Sequence, residues 1–377
     1  MEHEINKTVP QSGKELSAAI EKLGSDGGKV RIPCGSLELD KTVCIDAPCI
    51  CIEGDAWSYS SDPNGVFESH SGSKLRLNGN GFPALSVGVS HTAQGFVMRD
   101  FGIQGDIVGM DTRPLFDYRH PERSAGVCFT GTRVDQGQIT KVSFCGLGAA
   151  VCAAGESELD ACRFENLNMD GCAVGVFFAP RASYYTHIGE NVIADNPYYG
   201  FYADGDTYLC DGVPKSRSIH NLEICGNHFV RCGGAFDAST DAAGMRPAAV
   251  YLHRISNSLL RDNLIDSTGV FWYYSPDART NDERQPEKRS APSLVVEGDG
   301  NRLMGNVITN SSAESVVIRG NGNVLLCNIV DGDVVIEGSG NTVANLVFTT
   351  PQARLVLKNG TENQLSAIPE ERIVRRD

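Results

Sequence analysis

One short plan recurs four times towards the C-terminal end of the chain. SLVVEGDGNRLMGNVI begins at Ser293, VVIRGNGNVLLCNIV at Val316, VVIEGSGNTVANLVF at Val334 and RLVLKNGTENQLSAI at Arg354. Each unit is an alternating apolar strand, a Gly/Asn turn, a second apolar strand and usually an Asn before a third. Asn301, Asn323, Asn341 and Asn363 mark the same turn in each unit, one solenoid coil apart. Strands this short are unstable alone and must stack on their neighbours. The G-x-G-x-x pieces join strand to strand with no helix after them, which removes the dinucleotide-binding reading. Both Gly and Asn tolerate positive φ, which suits them to such corners. The pattern predicts an all-β chain: a single-stranded right-handed parallel β-helix.

Looser versions of the unit run through the middle, as in ITKVSFCGLGAAVCA, SELDACRFENLNMDGCAVGVFFA and HIGENVIADNPYYGFYAD. The N-terminal part differs. From Ser12 to Leu23, apolar Leu16, Ala19, Ile20 and Leu23 fall at helical spacing, with Ser12 as N-cap and Glu15 three residues on. A short helix there would cap the open end of the solenoid, whose edge strands otherwise present unpaired groups. The expected organisation is a single domain: a cap over 1–30, coils with long loops over 31–292, regular coils over 293–368 and a polar, frayed tail over 369–377.

The formal net charge of −14 and the lack of a basic stripe exclude a phosphate-backbone binder, so no nucleic-acid partner is expected. An acidic chain also repels polyanions at long range, which favours a neutral substrate unless a local Arg cluster offsets the field. The 13 cysteines are odd in number, form no C-x-x-C pair and sit mostly in apolar runs, as small buried residues do. No membrane-spanning run and no basic-then-apolar leader is visible. The expectation is a soluble, reduced, cytoplasmic protein. No H-E-x-x-H, zinc-spaced Cys/His set or G-x-S-x-G elbow occurs, and neither a metal nor another cofactor is expected.

Chemistry is expected where the coils are interrupted. GDTYLCDGVPKSRS follows FYAD, TDAAGMRPAAVYLHR follows FDAS, and PDARTNDERQPEKRSAP follows FWYYS, all three read as leaving the same strand of the coil. A fourth long segment, GDIVGMDTRPLFDYRHPERS, precedes them. Loops at one register stack into one wall, bordering either a groove or another subunit. Asp204 and Asp237 end successive aromatic strands and are expected side by side, ~4.8 Å apart. Such a pair supplies an acid and a base, or binds a cation through oxygen, or merely caps turns. Asp206 adjoins them as a third catalytic candidate, with Asp211 and Asp241 in the loops. The substrate-binding candidates are Tyr184, Tyr185, Tyr199, Tyr202 and Trp272, whose rings suit sugar faces, and His187, His228, Arg231, Arg246, His253 and Arg254. An oligosaccharide is therefore the expected partner. The readings that remain are an enzyme that cleaves or rearranges an oligosaccharide, a lyase or epimerase on uronic acids, and a non-catalytic glycan-binding solenoid.

The segments GGKVRIPCGSLELDKTVCI, IEGDAWSYSSDPNGVFESHSGSKLRL, VMRDFGIQG and NPYYGFYAD, in that order, resemble the pectate-lyase-like β-helix superfamily. Within it they resemble the inulin fructotransferase and difructose-anhydride hydrolase family. The resemblance spans most of the chain and is architectural, so it bears on fold more than activity. It implies a homotrimer with active sites between subunits, no metal, and a carboxylate-driven reaction on a fructose linkage in which a substrate hydroxyl attacks the anomeric carbon. There is a departure. The family's Gly-Tyr-Glu-Gly-Phe stretch, which carries a catalytic Glu, is matched here by Pro197-Tyr198-Tyr199-Gly200-Phe201, so Tyr199 stands at the Glu position. No catalytic residue is carried over from the family.

Overall fold

The computed structural model describes residues 9–57, 72–105, 112–210, 212–235, 246, 248–274 and 284–376, with the backbone alone at 209, 271–274 and 284–288. Nearly all strand pairing in the solenoid is parallel, coil upon coil. A middle coil contributes four short strands: 174–178, 182–184, 187–189 and 192–194, after which 199–204 begins the next coil. The first strand of each coil joins a 12-stranded sheet. In five of the coils, down to Ser218–His220, the second joins a 5-stranded sheet, and the last two belong to a folded 21-stranded sheet.

Side-chain alternation sorts the aromatics. Phe178 and Phe201 point into the main core, while Phe177 and Tyr202 point out of the 12-stranded sheet into a second apolar cluster. Tyr199 joins that cluster against the alternation, where the Gly200 and Phe201 N–H groups both bond the Ala249 carbonyl. The main core runs the length of the cylinder, from Leu16 of the cap to Leu355 and Leu357 in the final coils.

The helix Gly13–Leu23 forms as its spacing predicts. Ser12 Oγ accepts from the Glu15 backbone N–H at 3.3 Å, and Glu15 accepts from the Gln11 N–H at 2.9 Å. Leu16 and Ile20 seal the first coil.

Two sequence expectations change. The turn glycines Gly300, Gly322 and Gly340 take the positive φ (68°, 64° and 65°), and the asparagines that follow them do not. Asn301, Asn323 and Asn341 are instead fully buried and form a ladder. Asn323 Nδ2 donates to Asn341 Oδ1 at 3.2 Å, and Asn341 Nδ2 donates to Asn363 Oδ1 at 3.1 Å. A second ladder joins Asn191, Asn227, Asn263, Asn306 and Asn328, with amide-to-amide distances of 2.9, 3.0, 2.9 and 2.9 Å. A buried amide needs both donors and acceptors met, and an identical residue one coil away supplies them. The tail also differs from expectation: Ile373–Arg376 pairs with Leu355–Lys358 as a last parallel strand, because Val374 continues the row of valines below it.

The long insertions do not share one register. Residues 205–217 leave the 12-stranded sheet after Tyr199–Asp204. The segments 105–124, 231–249 and 267–293 instead precede strands of that sheet in the chain. The FWYYS segment is no coil strand: Val270–Tyr274 pairs antiparallel with Arg284–Lys288 as a hairpin. Its aromatic-rich text resembles a coil strand, but the coil continues only at Leu294–Glu297.

Candidate functional site

The 12-stranded sheet carries two outward rows of side chains, set by strand alternation. One row is apolar: Cys128, Cys152, Phe177, Tyr202, Tyr251, Val295, Val317, Val335 and Val356. The next row is polar from Asp204 onward. Asp204, His253, Glu297, Arg319, Glu337 and Lys358 stand in register on successive strands. Their charges alternate, and neighbours meet: His253 Nδ1–Asp204 Oδ1 3.1 Å, His253 Nε2–Glu297 Oε2 3.6 Å, Arg319 Nη1–Glu297 Oε1 2.7 Å, Arg319 Nε–Glu337 Oε2 3.2 Å and Lys358 Nζ–Glu337 Oε1 3.2 Å.

Over the Asp204 end of this ladder lies a cleft of about 420 Å³. Its floor is Phe177, Ala179 and Asp204. One wall is Tyr118 to Glu122 from the first insertion, and the other is Tyr208 and Arg217 from the segment after Asp204. Tyr118 is fixed by edge-on contacts with Phe177 and Tyr202, at 5.8 and 6.0 Å between ring centroids. Its hydroxyl lies 3.1 Å from Tyr202 Oη and donates to Asp204 Oδ2 at 3.4 Å.

Asp204 is the most interconnected group here. Its side chain is 8% exposed, and burial alone would raise its carboxyl. The hydrogen bonds from His253 and from the Asp206 N–H (2.9 Å), with Arg217 nearby, outweigh burial and hold it below the usual Asp value. His253 moves the other way. Its hydrogen bond to Asp204 raises it against burial, and Glu297 and Asp206 add to the rise. The phenols of Tyr118 and Tyr202 are pushed up by burial and by the Asp204 charge, so both stay protonated. The arrangement is an ionised carboxylate coupled to an imidazole that favours the imidazolium, beneath an aromatic rim. It can transfer a proton and face a developing positive charge.

The predicted residues divide among three faces. Asp204 lines the cleft; His253 stands beside it at 3.1 Å and Tyr202 meets Tyr118 of the wall, and neither lines the cleft itself. Asp206 adjoins them and pairs with Arg254 Nη1. Tyr199 is fully buried in the same outward cluster, donating to the Arg246 carbonyl at 2.7 Å, while Arg246 itself is exposed. His187 and His228 stand on the 21-stranded sheet, away from the cleft, because their strands follow the second and third corners of the coil, and Arg231 sits at the bend just past His228–Val230. Arg231 is spent on Asp195, with two bonds of 2.7 Å. Tyr184 stacks on His220 along the 5-stranded sheet, and Tyr185 is 67% exposed at the corner beyond it. Asp237, Asp211 and Asp241 lie outside the described residues, as does the side chain of Trp272. The expected stacking of Asp204 on Asp237 is replaced by register with His253. The strand after Tyr199–Asp204 is Val250–His253, so matching by the Gly-led turn placed the next strand too early.

On the 21-stranded sheet, His187, Glu223 and Cys225 bring ligand-type atoms within 4.8 Å of one another. Both ring nitrogens of His187 already face carboxylates, Glu223 at 2.9 Å and Glu165 at 3.3 Å, and Glu223 also binds Arg261 at 2.9 Å. This is a charge ladder like the one at the cleft.

Sequence reasoning missed Glu297, Tyr118, Tyr251 and Arg217. Glu297 was legible: LVVE, VVIR, VVIE and LVLK end in charges of alternating sign at one register. Tyr118 and Arg217 lie in irregular insertions, where no period places a side chain.

No protein-family profile matches the sequence, and no curated protein matches it. Solved structures do. DFA-IIIase from Arthrobacter chlorophenolicus A6 without its lid aligns with a TM-score of 0.67 at 16% identity, over 99% of this chain and 97% of that one. The same enzyme in complex with GF2 aligns with a TM-score of 0.68 at 15% identity, over 98% and 93%. ORF18 of Geobacillus virus E2 aligns with a TM-score of 0.58 at 14% identity, over 96% of this chain and 62% of that one. Along nearly its whole length, the chain is similar in fold to the right-handed parallel β-helix of the DFA-IIIase structures.

Proposed function

We propose that this protein is a carbohydrate-active enzyme that cleaves or rearranges a glycosidic linkage of an oligosaccharide in the cleft beside Asp204. The carrying observation is Asp204 on the cleft floor beside Phe177 and the wall residue Tyr118, with His253 and Glu297 following it in register. In this reading His253, held as imidazolium between two carboxylates, delivers a proton to the glycosidic oxygen as its bond to the anomeric carbon breaks. Asp204, kept ionised, faces the positive charge that develops on that carbon. Water or a substrate hydroxyl then adds to the carbon and returns a proton to the pair. The aromatic rim stacks on sugar rings and narrows access for water. The structural neighbours support a fructan or difructose anhydride as substrate, since they include DFA-IIIase complexes with GF2 and with DFA-III.

The same proposal includes the homotrimer that the family resemblance implies, which a sedimentation mass of three chains would check. It also includes a reducing, cytoplasmic setting, for which the 13 free cysteines speak. No described helix is long and apolar enough to cross a membrane.

The test is a panel of neutral and acidic oligosaccharides, including inulin-type fructans and difructose anhydrides. Products are followed by new reducing ends, by chromatography for anhydride formation, and by the ultraviolet absorbance of an elimination product. Turnover that survives in both D204N and H253Q would sink the assignment. Elimination rather than hydrolysis or transfer would move the enzyme to the lyases, a second reading that Arg217 at the cleft favours.

A further inference from the structure

The charge ladder on the 21-stranded sheet differs from the one at the cleft in holding a thiol. Glu165, Gly189 and Cys225 stand in register on three successive strands. His187 lies two residues before Gly189 on the middle strand, and with Ile188 in the core between them both face outward. Gly189 has no positive φ, so its backbone does not demand glycine. What glycine supplies is space. The imidazole leans into the gap in the row, and a Cβ at Gly189 would lie 2.4 Å from His187 Nε2.

Nε2 thereby meets two ligand-type atoms from the coils on either side, Glu165 Oε1 at 3.3 Å and Cys225 Sγ at 3.6 Å. Zinc bonds of ~2.0–2.3 Å to nitrogen, oxygen and sulfur set the ligands of a tetrahedral site about 3.3–3.6 Å apart. The far nitrogen, Nδ1, lies 2.9 Å from Glu223 Oε2, and Glu223 is held in turn by Arg261 Nη2 at 2.9 Å and Nε at 3.1 Å. A carboxylate on the far nitrogen fixes the ring and the tautomer that leaves the near nitrogen free for a metal. Among the described residues, no other three His, Cys, Asp or Glu side chains bring ligand-type atoms as close as His187, Glu223 and Cys225 do.

We infer that this face carries a zinc site, with His187 Nε2, Cys225 Sγ and the Glu165 carboxylate as ligands, water in the fourth position and Glu223 positioning the imidazole. Thiolate with imidazole suits zinc, whereas magnesium and calcium take oxygen. Burial and the Glu223 charge push the Cys225 thiol up to about 11, a cost that a cation beside the sulfur reverses. Glu165 is the more exposed side of the site, at 28% against 16% for His187. Its side chain turns in to close around the ion and gives up its bond from Arg163 Nη1, at 3.0 Å. The ion ties three successive coils together on a face away from the cleft, and nothing in this inference depends on the carbohydrate reading.

The test adds zinc or cobalt(II) to the full chain, stripped with a chelator and kept reduced, beside C225S, H187Q, E223Q and G189A, each checked for folding by circular dichroism. The wild type should bind one zinc per chain, and its cobalt form should show a thiolate-to-metal charge-transfer band. E223Q should keep the band and bind roughly 10- to 100-fold more weakly. C225S and H187Q should lose more than that, and C225S should lose the band. G189A removes no ligand but places a methyl group where the ring sits, so it should lose the band as well. Zinc should raise the melting temperature of the wild type and leave that of C225S unchanged. Zinc held equally by wild type, C225S and H187Q sits on exposed thiols such as Cys34, Cys44, Cys49 or Cys327 and overturns the inference. A wild type that binds no zinc, or a cobalt form without the band, overturns it too. Should C225S or H187Q fail to fold, G189A decides by the same band.

Discussion

His253 Nδ1 lies 3.1 Å from Asp204 Oδ1, and the two residues are register partners on adjacent parallel strands. Backbone pairing therefore fixes their separation, and no loop needs to close to bring them together. This rigidity separates the pair from the residues of the two cleft walls, which insertions supply.

D204N and H253Q should each reduce turnover by roughly 100-fold or more, the scale of general acid–base catalysis. The double variant should lose little beyond the worse single one, because the two groups act as a unit. Steady-state kinetics on the substrate found by the panel, with circular dichroism to confirm folding, checks this.

The pair should also write itself into the pH dependence of stability. The depressed Asp204 contributes stability above its ordinary value of 3.8, and loses it as pH falls through its lower folded value. The raised His253 contributes fully below its ordinary value of 6.5, and loses it as pH rises through its higher folded value. The Asp206 N–H and Arg217 also act on Asp204, and Glu297 and Asp206 also act on His253. The stability difference between wild type and H253Q should therefore be larger at about pH 5.5 than at about pH 8.5. Urea unfolding at the two pH values measures it, and an equal difference at both counts against the coupling.

Tyr118→Ala should loosen the cleft without unfolding the solenoid. The side chain carries two ring contacts and a hydroxyl between Tyr202 and Asp204, while its segment Thr112–Ser124 adds no strand to any sheet. Hydrogen exchange across that segment should speed up, KM should rise by roughly three- to tenfold, and the melting temperature should move little. Tyr118→Phe should keep the ring effects and lose only the hydroxyl.

Asn263→Ala should be the costliest single change outside the cleft. Asn263 is 3% exposed. Its oxygen accepts from the Asn227 backbone and side chain, and its amide donates to the Ile224 carbonyl and to Asn306 Oδ1. Truncation leaves buried donors and acceptors unmet on two coils, a loss of about 2–4 kcal/mol. Chemical denaturation measures it.

The scaffold was legible because its physics repeats. VVIRG and VVIEG show strand, turn and register at once, and Ser12 with Glu15 shows the cap. Asp204 and His253 were legible as chemistry but not as a pair. An insertion between Val230 and Val250 interrupts the period, and the text after Cys232 imitates the start of a coil. His187 and His228 fall on coil strands as readily as His253 does, so composition alone does not say which face carries the cleft. Arg217 and Tyr118 belong to irregular segments whose direction only the tertiary structure sets.

The asparagine ladder that closes the C-terminal coils has steps of 22, 18 and 22 residues. Most of that difference is absorbed at one corner, between the 21-stranded and the 12-stranded sheet, where 310–315 is long and 331–333 is short. The cylinder holds its pitch through the buried amides while that corner lengthens or shortens. The segment bearing Tyr118 departs from the same corner several coils earlier. Chain added there meets mainly the slowly growing entropy of a longer loop, so a wall of the cleft can be grown, trimmed or exchanged at this corner while the cylinder beneath keeps its step.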